Sequence, residues 1–194
     1  MIDSTLMNKK QIWVFLCFAL GLMYLLAPRE NVSAQPRFQQ TITSPSQLIS
    51  AVNSLRAENG LAPLAEHSIL NQSAQSQADY MSSTGQVTHS RPGGITFTQQ
   101  LLALGFPLAG DLSLGGFRAE NILMSPNPLV WNGVPAGWQD AQHMNTMLSG
   151  NFTHIGAGIS QGSNGYYYAV DCAASTSSGQ MQDTASSILT SVPG

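Results

Sequence analysis

Two histidines and one glutamate stand where they could do chemistry together. His89 lies in Thr88-His89-Ser90, Glu120 opens Glu120-Asn121-Ile122, and His143 closes the run Trp138-Gln-Asp-Ala-Gln-His143. Two neutral imidazoles and a carboxylate are a common ligand set for Zn²⁺ that leaves a fourth position open to water. A bound cation would draw the pKa of that water toward neutrality and make it a nucleophile. Without metal, Glu120 could serve as a general base. The same three residues also read structurally, as a His–Glu pair that hydrogen-bonds neighbouring loops.

Other candidates weigh less. His154 precedes an apparent strand and caps it or faces solvent, and His67 falls near a helix start at the surface. Trp131 and Trp138 flank the turn around Pro135-Ala136-Gly137 and read as core. Asn71-Gln-Ser and Asn151-Phe-Thr fit the glycosylation pattern, which is frequent by chance. The sequence contains no H-E-x-x-H, no G-x-S-x-G and no phosphate-binding glycine loop. Ser90 beside His89 makes no triad, because adjacent side chains rarely face each other as that chemistry requires.

The elements that must position these residues are legible in outline. Ser44-Pro45 is a helix start, with proline at the first helical position, and Leu48, Ile49, Val52 and Leu55 follow at helical spacing up to Asn59-Gly60. A second helix is predicted over 66–84, with Ile69, Leu70, Ala74, Ala78 and Met81 on one face. His89 follows it in a loop closed by Pro92-Gly93-Gly94. A third helix is predicted over 98–104 and a fourth over 136–148, the last with a break near His143. Glu120 to Leu123 reads as either a short strand or a tight turn. Strands over 155–160 and 166–173 flank a hairpin signal at 161–165. In the second of them Tyr166, Tyr168, Val170 and Cys172 share one face, and Tyr167, Ala169 and Asp171 the other, so both faces are covered. Helices on both faces of a small antiparallel sheet give an α+β fold.

The 194 residues fit one domain. Lys9-Lys10, the apolar run from Ile12 to Ala27 and Val32-Ser33-Ala34 have the order of a secretory signal peptide over 1–34, cleaved after Ala34 or retained as a membrane anchor. Beyond Ala34 there are four arginines, no lysine and eight carboxylates, which gives no electrostatic purchase on nucleic acid. Cys172 is the one cysteine there, so no internal disulfide forms, and it reads as a buried small hydrophobe. Residues 175–194 are rich in Ser, Thr, Gly and Gln and read as a disordered polar tail. A monomer is expected.

Taken in order, these fragments resemble the bacterial branch of the CAP superfamily, which includes cysteine-rich secretory proteins, antigen 5 and pathogenesis-related proteins. The likeness runs from about Ser46 to Ala173, within a domain expected over 44–174. Leu55-Arg56-Ala57-Glu58-Asn59-Gly60-Leu61 resembles the opening helix and turn of that family, Ala119-Glu120-Asn121-Ile122 its (G/A)-E-N-(I/L) signature, and His143-Met-Asn-Thr-Met-Leu148 with Phe152 and Ile155-Gly-Ala-Gly158 its closing motif. The resemblance implies a three-layer α-β-α sandwich with a cleft lined by two histidines and two acids. It assigns His89, Glu120 and His143 to the cleft and makes Asp140 the nearest candidate for the second acid. It implies a secreted module that binds a lipid, a sterol, a cell-wall fragment or a protein, with Zn²⁺ or another divalent ion held by His89, Glu120 and His143. Leu101-Leu102 and Gly105-Phe106-Pro107-Leu108 would supply an apolar groove for a lipid. The competing reading is a metal-assisted extracellular hydrolase. A weaker one joins chains through Cys172.

Overall fold

The structure, a computed structural model, describes residues 39–182. The expected signal segment at 1–34 and the part of the expected tail beyond Gln182 lie outside the described residues.

Ten elements follow in chain order: β1 (Gln40–Ile42), α1 (Pro45–Glu58), β2 (Ala65–Glu66), α2 (Ser68–Thr84), α3 (Phe97–Ala103), β3 (Arg118–Ser125), β4 (Leu129–Trp131), α4 (Ala141–Leu148), β5 (His154–Gly162) and β6 (Gly165–Ala173). Short 3₁₀ turns lie at Pro92–Gly94, Leu112–Leu114 and Ala136–Trp138. The main sheet has the order β2-β5-β6-β3. β5 pairs antiparallel with β6, and β6 with β3. The two-residue β2 runs parallel to β5, which the antiparallel expectation did not include. β1 and β4 form a separate two-stranded antiparallel ribbon.

Local chemistry accounts for the helices. Ser44 caps α1 in a reciprocal capping box with Gln47, and Pro45 occupies the first turn. Thr96 and Gln99 form the same device at the start of α3. α2 starts at Ser68, two residues later than predicted, because Glu66 is taken into β2 and His67 becomes the cap. α4 is shorter than predicted. Residues 136–138 form a 3₁₀ turn, and the break falls at Asp140, ahead of His143.

The sheet is covered on both sides, as the alternation in β6 predicts. On one face Leu48, Ile49 and Val52 of α1, Met147 of α4 and Trp138 pack against Ile155, Ala157, Tyr168, Val170 and Cys172. On the other, Ala74 and Met81 of α2 pack against Ile122, Tyr167 and Ala169, with Leu70, Phe97, Leu101, Phe106 and Leu108 beside them. The result is the three-layer α-β-α sandwich. α2 lies unusually close to β5. A Cβ on Gly156 would stand 2.1 Å from the Leu70 carbonyl carbon, and one on Gly158 2.3 Å from Ala74 backbone. Only glycine lets a helix backbone sit directly on a strand in this way.

Two expectations change. Leu101, Phe106 and Leu108 are fully buried, so these three side chains belong to the core and are not free to line a groove. The first part of the expected tail is docked. Thr176 N donates to Pro107 O at 2.7 Å, and Gln182 Nε2 donates to Leu108 O at 2.6 Å and Gly110 O at 2.9 Å. Backbone carbonyls of the 105–110 loop give this polar segment partners that composition does not reveal.

Candidate functional site

β3 is the edge strand of the main sheet, and the two layers meet along it. Glu120 and Ile122 face α2 and α3, while Asn121 turns to the opposite layer and donates from Nδ2 to His143 O at 2.9 Å. A hollow of about 640 Å³ opens at this edge. Its lining includes His89, Arg91, Phe97, Arg118 and Glu120 from one side and Gln142, Asn145 and Thr146 of α4 from the other.

The His89 loop is held from beneath. Gln77, fully buried in α2, donates from Nε2 to Thr88 O and to Ser90 O. Arg91 turns inward under the loop, donates from Nε to Gln100 Oε1 and lies over the Phe97 ring at 4.2 Å. Its Nη2 donates to Glu120 Oε1 at 2.7 Å, and the two side chains are 1% and 3% exposed. His89 Nδ1 lies 2.7 Å from Glu120 Oε2, with the ring itself exposed. Glu120 is therefore a buried carboxylate with both oxygens engaged. A carboxylate accepts, so Nδ1 of His89 carries a proton, and in the neutral imidazole Nε2 keeps its lone pair.

His143 makes a separate pair. Asp140 caps α4, its Oδ1 accepting from Gln142 N and His143 N at 3.0 Å each, while Oδ2 accepts from His143 Nδ1. The hydrogen bonds from His143, backbone first and ring second, hold the Asp140 carboxyl below its ordinary range. Three of the five α4 residues from Gln142 to Thr146 thus line the hollow, and the His143 ring is outside the lining. The structure brings His89 and Glu120 together and keeps Asp140 and His143 as their own couple.

This bears on the expected metal. Among the described residues no three His, Cys, Asp or Glu side chains are grouped so as to hold one ion. The reason is local: both oxygens of Glu120 are engaged, by Arg91 and by His89, so this carboxylate is not free as a third ligand, although each ring keeps Nε2. The set His89, Glu120, His143 does not fit a three-ligand centre.

Two site residues escaped the sequence reading. Arg91 is one; its neighbour His89 drew the attention. Asp171 is the other. It stands in register opposite Glu120 across β3 and β6, is fully buried, and neither carboxylate oxygen makes a hydrogen bond of ordinary geometry among the described residues. Burial, and after it the charge of Glu120, push the Asp171 carboxyl well above its ordinary range; Ser73, whose hydroxyl bonds to Gln100 Oε1 at 3.2 Å, and Arg91 oppose this. Alternation had placed Asp171 on the correct face of β6, but the cross-strand partner depends on register.

The remaining candidates are structural. Trp138 is fully buried and donates from Nε1 to Ile122 O at 2.9 Å. Asn71 cannot serve as a free glycosylation acceptor, because Nδ2 donates to Glu66 and Oδ1 accepts from Ala157 N. His67 caps α2 through Nδ1, and its ring lies 5.3 Å from that of His154, with Phe106 edge-on to both. Cys172 is buried and unpaired within the chain, which tells against the reading that joins chains through it.

Comparison with known proteins agrees with this architecture. The model of the CAP family, described as the cysteine-rich secretory protein family, matches residues 49–174. No curated protein matches the sequence. Among solved structures, the chain is similar to an extracellular protein containing an SCP domain from Bacillus anthracis str. Ames, at 22% identity and a TM-score of 0.51 over 67% of this chain and 40% of that one. The chain thus spans about two fifths of the Bacillus protein's length. It is also similar to an outer surface protein from Borrelia burgdorferi, at 17% identity and a TM-score of 0.53 over 71% of this chain and 99% of that one. At these identities the structural likeness speaks to fold.

Proposed function

The chain belongs to the cysteine-rich secretory protein (CAP) family, and on that premise we propose that it is an extracellular binding module whose ligand enters the hollow at the β3 edge. The extracellular assignment is supported by the basic and apolar N-terminal run and by the likeness to the extracellular Bacillus protein. The observation that carries the binding reading is the state of Glu120. Both its oxygens are bound, by Arg91 and by His89, so the residue best placed to act as a base is instead a fixed wall. A general base needs an oxygen within reach of the proton it takes.

The hollow's volume lies in the range of small-molecule sites. Ile95 and Phe97 give it an apolar side, and Gln142, Asn145 and Thr146 a polar one. A lipid headgroup region, a sterol or a cell-wall fragment suits such a surface better than a flat protein face. The test is a thermal-shift panel of these ligand classes on the wild type and on Asn145→Trp, which fills the hollow. A ligand that raises the midpoint of the wild type and leaves the variant unmoved supports the reading. Ligands that shift both equally place binding elsewhere.

The hydrolase alternative has one observation in its favour: with Nδ1 of each ring taken by a carboxylate, His89 and His143 both keep Nε2 free. Carboxylate-backed imidazoles are common behind metal sites. Ester or peptide hydrolysis that requires both added Zn²⁺ and an intact His143 would replace the binding reading.

A further inference from the structure

Arg118 opens β3 and lines the same hollow. Its Nε donates to Thr98 Oγ1 at 2.9 Å, and Thr98 Oγ1 donates in turn to Gly115 O at 2.7 Å. Gly115 makes room for the guanidinium, since a Cβ there would stand 3.1 Å from Arg118 Nη2. The stem is thus fixed, and the Phe97 ring lies 5.3 Å from Cζ with Arg91 on the same ring. Among the described residues the two Nη groups donate to no acceptor and Arg118 forms no ion pair. A half-buried guanidinium with its fork held open is an unusual thing to leave unmatched.

The surrounding charges do not supply the match. Glu120 is the only carboxylate in the lining, and Arg91 already neutralises it. Asp171 lies behind Glu120, and its burial favours the neutral acid. The facing residues of α4, Gln142, Asn145 and Thr146, carry no charge. Burial and the repulsion of Arg91 both tell against the Arg118 cation, more than Glu120 and Asp171 restore.

We propose that the ligand of this hollow carries an anionic group, a carboxylate or a phosphate, that accepts from the Nη groups of Arg118 while its apolar part rests on Ile95 and Phe97. The inference rests on the binding reading above and adds the chemical class of the ligand. Ile95 is well exposed at the rim, so a bound apolar group there would be covered as the anion is neutralised.

Isothermal titration of the full chain with 4-phenylbutyrate and with its neutral amide, 4-phenylbutanamide, tests this. The carboxylate should bind about tenfold more tightly than the amide, the usual gain of a hydrogen bond to a charged group. Arg118→Gln should erase that ratio and leave the amide affinity in place, and Arg118→Lys should keep most of it. Phenyl phosphate then ranks the two anion sources, by binding more or less tightly than the carboxylate. A wild-type ratio near one, or a ratio unchanged in Arg118→Gln, overturns the proposal while leaving the hollow as a binding site. If Asn145→Trp binds both probes as the wild type does, or if neither probe binds the wild type, the cleft reading falls and this inference with it.

Discussion

Removing the charge of Glu120 would leave Arg91 buried beside an amide. Breaking one side of a buried ion pair typically costs about 3–5 kcal/mol, because the remaining charge has no water to turn to. Glu120→Gln is therefore expected to lose about 3 kcal/mol or more in urea unfolding, and a loss below about 1 kcal/mol, the scale of an exposed pair, would contradict the buried geometry. Asp171 makes a prediction in pH. Its folded-state pKa is raised, so the folded chain holds this proton where the unfolded chain releases it. The stability it contributes is full below the ordinary carboxylate pKa of about 4 and is lost as pH rises through the folded value. Asp171→Asn has no such proton, so the variant's thermal midpoint relative to wild type should climb as pH is raised from about 4 toward 8. A constant difference across that interval would show that Asp171 ionises as readily folded as unfolded. His89 and Glu120 were legible because their types and order mark them. Arg91 and Asp171 were not, because nothing local distinguishes an arginine after a loop histidine, or an aspartate in an alternating strand, from its surface equivalents.

Among the elements, the contact of α2 with β5 is the least forgiving. Gly156 and Gly158 put backbone against backbone, and neither Leu70 nor Ala74 can give way without moving the helix. Gly156→Ala should cost about 1–3 kcal/mol or more, the scale of overpacked cores, in chemical denaturation. A neutral result would mean that α2 and β5 can separate freely. α2 carries Gln77, which holds the His89 loop, so the same substitution should also weaken ligand binding at the hollow. Arg56 plays a comparable part for α4. It is buried and donates from Nη1 to Met147 O at 2.8 Å and Ser149 O at 2.9 Å, which secures the end of the helix whose side forms the opposite wall. Helices α1 and α3 were legible because caps and apolar spacing are local signals. β1, β2 and β4 were not. They have two or three residues each, too few to show a period, and exist because distant backbone completes them: Ile42 pairs with Leu129, and Ala65 with His154. The start of α4 was misplaced because Asp140, read as a cleft acid, is the residue that caps it.

At the scale of the whole molecule, one thiol constrains how chains can associate. Cys172 lies in the layer between the sheet and α1, and burial, then the nearby Asp171, pushes its thiol far up. A thiol so placed is neither nucleophilic nor accessible. In a Cys17→Ser chain, a thiol reagent should label nothing until denaturant is added, and labelling of the native protein would place Cys172 at the surface. The C-terminal segment has a different consequence. Gln182 reaches back across the sheet's end to two carbonyls of the 105–110 loop, eight residues beyond the last position matched by the family. Anyone trimming this protein for crystallisation or display should keep the chain at least as far as Gln182. A version stopped at Ala174 would strip a clasp from the loop behind Phe106, and should melt at a lower temperature than one that retains those eight residues.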